Sequence, residues 1–507
     1  MHRHNAGHNE GCNDVHNIGR DDGPDVGANG RSPLQNDLPE LPKGWVTASL
    51  KEITTSIKGK KPKILSDVKN NGAVPYIDIK AFEKGEIRQY ADIKSSNIAC
   101  KEDVLVVWDG ARSGLVGIGQ EGAIGSTILA IKPFCISPLY LYRFLQTKYE
   151  YINTNHRGTG IPHVDPEVFW NIEFPLAPLP EQRRIVSKLE KLLHKVDASK
   201  ERLDKIPAIL KRFRQSVLAT ACSGRLTADW RSEIGEAITT NIDPSYVLAE
   251  TPFDIPTGWK WVKWSGLVAK ERHSFKRGPF GSTLKKEIFV SSGYKVYEQC
   301  NPINDNCDLG SYYITQEKFK ELEAFKVNAG DLLISCSGVT LGRITQVPEK
   351  FKEGVINQAL LKVTLDRQLI QSDYFIKYFR SIVFQSFVFE GSQGSAQPNI
   401  KGVKELKELP VPVPPRPEQH EIVRRVDALF KKADEIEVRY QKAKGFVDRL
   451  TQSILAKAFR GELVPQDPND EPASVLIERI KTEKAKHDQK KQRKAKKESR
   501  TSHKALC

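Results

Sequence analysis

Three pairs of loops carry the residue types that grip a polyanion. Lys58-Gly59-Lys60-Lys61, early in one half, matches Arg277-Gly278-Pro279-Phe280-Gly281-Ser282 with Lys285-Lys286 in the other. Arg112-Ser113 has its counterpart in Thr340 and Arg343. The third pair is Arg157-Gly158-Thr159-Gly160-Ile161-Pro162-His163 and Gly391-Ser392-Gln393-Gly394-Ser395-Ala396-Gln397-Pro398-Asn399. Lys and Arg neutralise phosphates, while Arg, Asn, Gln, Ser and Thr can read base edges. Glycine lets the backbone approach a phosphate closely. Candidate contacts are therefore Lys58, Lys60, Lys61, Arg112, Ser113, Arg157, Thr159 and His163 in the first half. In the second they are Arg277, Ser282, Lys285, Lys286, Thr340, Arg343, Gln393, Gln397 and Asn399. The competing reading of each is a plain surface turn.

Bond-breaking machinery is missing from the pattern. An adenine methyltransferase would need an Asn/Asp-Pro-Pro-aromatic loop, and the nearest string, Asn301-Pro302-Ile303, lacks it. No Gly-x-x-x-x-Gly-Lys-Ser/Thr loop is present for an ATP-driven motor. His163 and His194 stand apart from any nucleophile. Eight cysteines without CxxC pairs argue for reduced thiols, against a zinc ribbon, and for a cytoplasmic setting. No apolar run reaches membrane-spanning length. The net charge of +15 favours a polyanion partner. Residues 481–507, with eleven Lys/Arg against three Asp/Glu, supply about half of it.

The loops are positioned by a frame that is written twice. Pro180-Glu181-Gln182 returns as Pro417-Glu418-Gln419, and the next fifty residues align at a constant offset of 237. Leu41-Pro42-Lys43-Gly44-Trp45 is echoed by Ile255-Pro256-Thr257-Gly258-Trp259 at an offset of 214, so the second insert is longer by 23 residues. Within the inserts, Asp103–Trp108 and Asp331–Cys336 read as strands ending in turns. The repeated segments have apolar residues at alternating steps of four and three. Ile185, Leu189, Leu192, Leu203, Leu210 and Phe213 mark one stripe; Ile422, Val426, Leu429, Val447, Leu450 and Ile454 mark the other. About five heptads in each place predict long coiled-coil helices, on the order of 60 Å each. Their stripes can serve helix pairing or packing on the neighbouring domain. Pro207 predicts a kink in the first helix, and Gly224 and Gly461 fit C-terminal caps.

The layout resembles the DNA specificity subunits of Type I restriction-modification enzymes. The likeness rests on Leu179-Pro180-Glu181-Gln182, on Leu210 through Leu218 with Gly224-Arg225-Leu226-Thr227, and on Leu455 through Leu463. Gly278-Pro279-Phe280-Gly281-Ser282 and Asp470-Glu471-Pro472-Ala473 add to it. The resemblance implies a mixed α+β chain with two α/β target recognition domains, separated by two long coiled-coil helices packed antiparallel in a pseudo-twofold repeat. Each domain would read half of a bipartite site in double-stranded DNA. The partners implied are methylation subunits, two in number, and restriction subunits. S-adenosylmethionine, ATP and Mg are then expected on those partners, with no cofactor or metal on this chain.

The expected order is an N-terminal disordered extension at 1–38, a recognition domain at 39–178 and a central helical region at 179–230. A linker at 231–254, a second recognition domain at 255–412 and a second helical region at 413–465 follow. A short helix with a basic disordered tail closes the chain at 466–507. A non-catalytic coiled-coil scaffold for RNA or protein partners is the alternative that basic composition leaves open.

Overall fold

The computed structural model describes residues 40–158, 162–234, 242–280, 283–337, 340–389 and 400–504. They divide into two compact units. One holds Lys205–Tyr440; the other holds the described residues up to Asp204 together with those from Gln441 onward. The expected N-terminal extension lies outside the described residues.

The recognition domain of the second-named unit is closed by Val46–Ser49 pairing antiparallel with Glu173–Leu176, so its first and last strands lie side by side. Its core sheet has the order Thr54–Lys58, Ile128–Pro133, Val104–Val107, Val116–Gly117. Val104–Val107 is buried throughout, as a central strand of β-branched and leucine side chains should be. A second sheet contains a parallel pair, Ala73–Ile77 with Gly122–Ile124.

The other unit repeats this plan. Lys260–Lys263 pairs with Pro410–Val413. The core sheet runs Phe275–Arg277, Leu360–Val363, Leu332–Ser335, Ile344–Gln346, and the parallel pair is Tyr294–Tyr297 with Gly354–Ile356. Tyr140 donates its hydroxyl to the Pro175 carbonyl at 3.0 Å, and Tyr374 does the same to Pro412 at 2.8 Å. The two inserts therefore share topology where they share little sequence.

The helices occupy the predicted places with one difference. Pro207 does not kink a continuous helix. The chain leaves the helix after Leu203 and a new one, Ile206–Cys222, begins with proline in its first turn, where a missing N–H costs nothing. The copy, Arg416–Phe459, runs unbroken through Gly445. Both runs end at a left-handed glycine, Gly224 at φ 72° and Gly461 at φ 73°.

The apolar stripes pack against the two domains. Ile185, Leu189 and Ile454 sit in the core around Trp45 and Phe174; Ile422 and Val426 sit in the core around Trp259 and Trp261. Leu210 is also buried, while Leu192, Leu203, Leu429, Val447 and Leu450 are half-buried. Phe213 is 37 % exposed, so it does not close a helix pair as its heptad position suggested. The C-terminal segment also differs from expectation. In place of a short helix and disordered tail, one helix spans Ala473–Lys504. Leu476 and Ile480 anchor its start in the first domain's core.

Candidate nucleic-acid interface

The first domain gathers its candidate residues where three elements end together. Lys58 closes one strand, Trp108-Asp109 follows another, and the hairpin His156–Arg157 with His163–Val164 folds over them. The hairpin is tied down by the backbone: Val164 N–H donates to the Trp108 carbonyl and Gly110 N–H to the Pro162 carbonyl. Gly59 must be glycine, since a Cβ there would lie 2.0 Å from the Gly125 carbonyl oxygen.

Asp109 is the hub of this corner. Lys58 Nζ lies 2.7 Å from one carboxylate oxygen and His163 Nδ1 lies 2.8 Å from the other. Burial pushes the Asp109 carboxyl up, but the hydrogen bonds from Lys58 and His163 outweigh it and hold the group below the usual range. Lys58 Nζ also sits 5.5 Å from the Trp108 ring centre, and Trp108 packs on Phe169 and Trp170. Arg157 is paired with Asp165 at 2.6 Å, and Asp165 in turn caps the helix Pro166–Trp170. In this corner the cations Lys58 and Arg157 are each paired with an acid.

Lys60 and Lys61 continue this surface as exposed side chains. Arg112 is exposed and pairs with Glu83 at 2.6 Å. Ser113 is 0 % exposed, its carbonyl accepting from Asn153 Nδ2 at 2.8 Å, so it supports the loop and presents nothing to a ligand. Thr159 lies outside the described residues.

The second domain builds the matching corner from different side chains. Gly278 meets the Asn357 carbonyl as Gly59 meets Gly125, at 1.8 Å for an added Cβ. Ile400 N–H donates to the Cys336 carbonyl, as Val164 does to Trp108. Arg277 ends its strand half-buried; Lys285 and Lys286 are exposed. Thr340 and Arg343 are exposed on a turn that Ser335 Oγ holds, donating to the Thr340 carbonyl and accepting from Arg343 N–H. Ser282, Gln393, Gln397 and Asn399 lie outside the described residues. Sequence reasoning missed three members: Trp108, Asp109 and Phe280, whose ring is 90 % exposed beside the basic loop. A solvent-facing aromatic amid Arg and Lys was the available signal for Phe280.

The repeated sequence words prove to be a lock between domain and helix. Trp45 donates its indole N–H to Glu181, and Trp259 donates to Glu418; both carboxylates are buried. Gln182 accepts from Ser137 N–H and donates to the Ala177 carbonyl, while Gln419 accepts from Gln371 N–H and donates to the Pro414 and Leu369 carbonyls. One buried Glu-Gln pair thus ties together the domain's entry strand, its exit strand and the helix Pro138–Thr147, or Ser372–Phe379 in the copy. Gly461 packs on Pro42 and Gly224 on Pro256, each leaving only 2.3 Å for a Cβ.

Two domains of one topology on a repeated helical frame, each with Lys and Arg gathered at its loop corner, have the residue types of a DNA-binding protein. The family profile described as Type I restriction modification DNA specificity domain matches residues 42–208 and 278–443. The chain belongs to this family of specificity subunits, whose role is DNA recognition and not catalysis. It is 29 % identical over 463 residues to the Type I restriction enzyme EcoBI specificity subunit of Escherichia coli, covering 89 % of this chain and 94 % of that one. The EcoDI specificity subunit of Escherichia coli is 30 % identical over 465 residues, covering 88 % and 96 %. In structure, a chain solved in work on assembly and conformational transition of the type I R-M system matches with a TM-score of 0.61 at 20 % identity. That match spans 84 % of this chain and all of the other. The HsdS subunit from Thermoanaerobacter tengcongensis matches with a TM-score of 0.53 at 20 % identity, over 84 % and 98 %.

Proposed function

We propose that each recognition domain reads one half of a bipartite duplex site and that the helical frame sets the spacer between the halves. The observation that carries this reading is the repeat of one domain topology, from entry strand to Trp–Glu lock, with the sequence of the insert rewritten. The helices pair antiparallel in this reading. Support comes from one unit, where Arg214 meets Asp434 at 2.7 Å and Asp229, further along the chain, meets the earlier Arg425 at 2.6 Å. Half-sites about one DNA turn apart, roughly 34 Å, would then lie on one face of the duplex.

Methylation subunits, two of them, and restriction subunits would dock on the frame. They would bring S-adenosylmethionine, ATP and Mg with them, and their chemistry is not this chain's. No helix among the described residues is long and apolar enough to cross a membrane. The family match favours this reading over a scaffold for RNA or protein. Duplex binding measured from low to moderate salt tests it: affinity should fall steeply through counterion release while a cognate preference persists. Binding without any sequence preference at every salt concentration would return the scaffold reading.

A further inference from the structure

Each unit holds a cavity between its recognition domain and its helices, and the two are copies of one another. One, of about 530 Å³, includes Gln215, Leu218, Ile344 and Phe430 in its lining; the other, of about 380 Å³, includes Gln452, Leu455, Val116 and Leu193. The 237-residue offset relates Gln215 to Gln452, Leu218 to Leu455, and Phe430 to Leu193. Strand register relates Ile344, opposite Ile334, to Val116, opposite Val106.

Against that likeness the charge differs at three equivalent positions. Arg214 stands where the sister cavity has Thr451, at the same offset. Arg343 stands where it has Leu115, each one residue before the paired Ile344 or Val116. Arg380 stands where it has Gln146, each six residues beyond the tyrosine that bonds its domain's last strand. All three arginines line the larger cavity, and Asp305 is the single carboxylate in its lining. The sister cavity is lined by one arginine, Arg143, already held by Glu190 at 2.8 Å, and by Asp197.

The arginines are braced yet retain donors. Arg214 Nη2 donates to Asp434 and Glu437, at 2.7 and 2.9 Å; Arg380 Nη2 donates to Asp305 and to the Ile344 carbonyl, at 2.8 and 3.0 Å. A guanidinium has five N–H groups in a fixed fork, so Nε and Nη1 of each remain for a ligand. Arg343 has no ion pair among the described residues. The volume suits a small molecule.

We propose that the larger cavity binds phosphate groups, and that its sister does not. The same chemistry is offered by a free phosphorylated ligand of nucleotide size and by a duplex backbone. The proposal stands apart from half-site reading, which the exchange of a whole domain tests.

Calorimetric titration of the full chain with pyrophosphate, with ATP and with a short duplex tests it, using Arg380→Gln and Arg214→Thr. These place the sister cavity's own residues, and thermal melts check that each variant folds. A charge-assisted hydrogen bond contributes about 1.5–3 kcal/mol, so each substitution should weaken phosphate binding roughly ten-fold or more. The reverse set, Leu115→Arg with Gln146→Arg and Thr451→Arg, should add a second phosphate site. Competition between pyrophosphate and duplex would assign the phosphate to the DNA backbone; simultaneous binding would assign it to a separate ligand. Wild-type chain that binds neither pyrophosphate nor ATP, with duplex affinity indifferent to Arg380→Gln, overturns the proposal.

Discussion

Trp259 donates its indole N–H to Glu418 at 2.7 Å, and the second oxygen of that carboxylate accepts from Thr227 at 2.7 Å and from Arg231. The equivalent lock, Trp45 to Glu181 at 3.0 Å, leaves the second Glu181 oxygen buried with no hydrogen bond among the described residues. Burial accordingly raises the Glu181 carboxyl above its ordinary value. The two copies of one motif therefore respond differently to the same change. Glu418→Gln strips Arg231 of its counterion and should destabilise its unit by ~3 kcal/mol. Glu181→Gln keeps the indole bond and should stay within about 1 kcal/mol of wild type. Urea unfolding of each variant against wild type checks the asymmetry; equal losses would show that both locks are satisfied alike.

Glu298 gives a pH signature. Burial pushes its carboxyl up from 4.5 to about 7, and one of its oxygens is buried without a hydrogen-bond partner among the described residues. The folded state then binds a proton more readily than the unfolded state, so stability from this group is full below about pH 4.5 and is lost as pH rises to about 7. Glu298→Gln should leave stability near its wild-type value at pH 4.5 and raise it by about 1–3 kcal/mol at pH 8. Unfolding midpoints at the two pH values decide this, and a pH-independent difference would contradict it.

Asp109 neutralises Lys58 and holds His163 by a hydrogen bond at the first domain's corner. Asp109→Asn should release that charge, tighten binding to a scrambled duplex several-fold at low salt, and steepen the salt slope by about 1. Preference for the cognate site should fall at the same time. Fluorescence anisotropy across a salt series measures all three, and an unchanged slope would remove this corner from the interface.

The helical frame was legible because heptad spacing is local. Ile185, Leu189, Ile422 and Val426 are buried, as members of an apolar stripe should be. Periodicity reports which side of a helix is apolar but not which part of that side is covered, and so Phe213 remains exposed. The Pro-Glu-Gln and Gly-Trp words were visible as repeats, yet their bond spans 136 residues in one copy and 159 in the other. No spacing rule joins residues that far apart. Ser113 looked available because it follows an arginine in a turn; only the three-dimensional contact with Asn153 reveals that it is internal. Asp109 escaped notice for a similar reason, since it gains its partners from a strand 51 residues before it and a hairpin 54 residues after it.

The spacer should follow helix length. Four residues added both at the Asp204-Lys205 break and after Tyr440 lengthen the frame by ~6 Å, or about two base pairs. Methylated sites should then keep both half-site sequences with a spacer longer by about that amount. An unchanged spacer would show that the helices are not the ruler.

Exchange of residues 255–412 for the corresponding insert of another specificity subunit tests the central claim most directly, with methylated positions mapped genome-wide in cells that supply the partner subunits. The predicted result is a site in which one half changes while the other half and the spacer stay as they were. Change in both halves, or in neither, would contradict the assignment of one half-site to each domain.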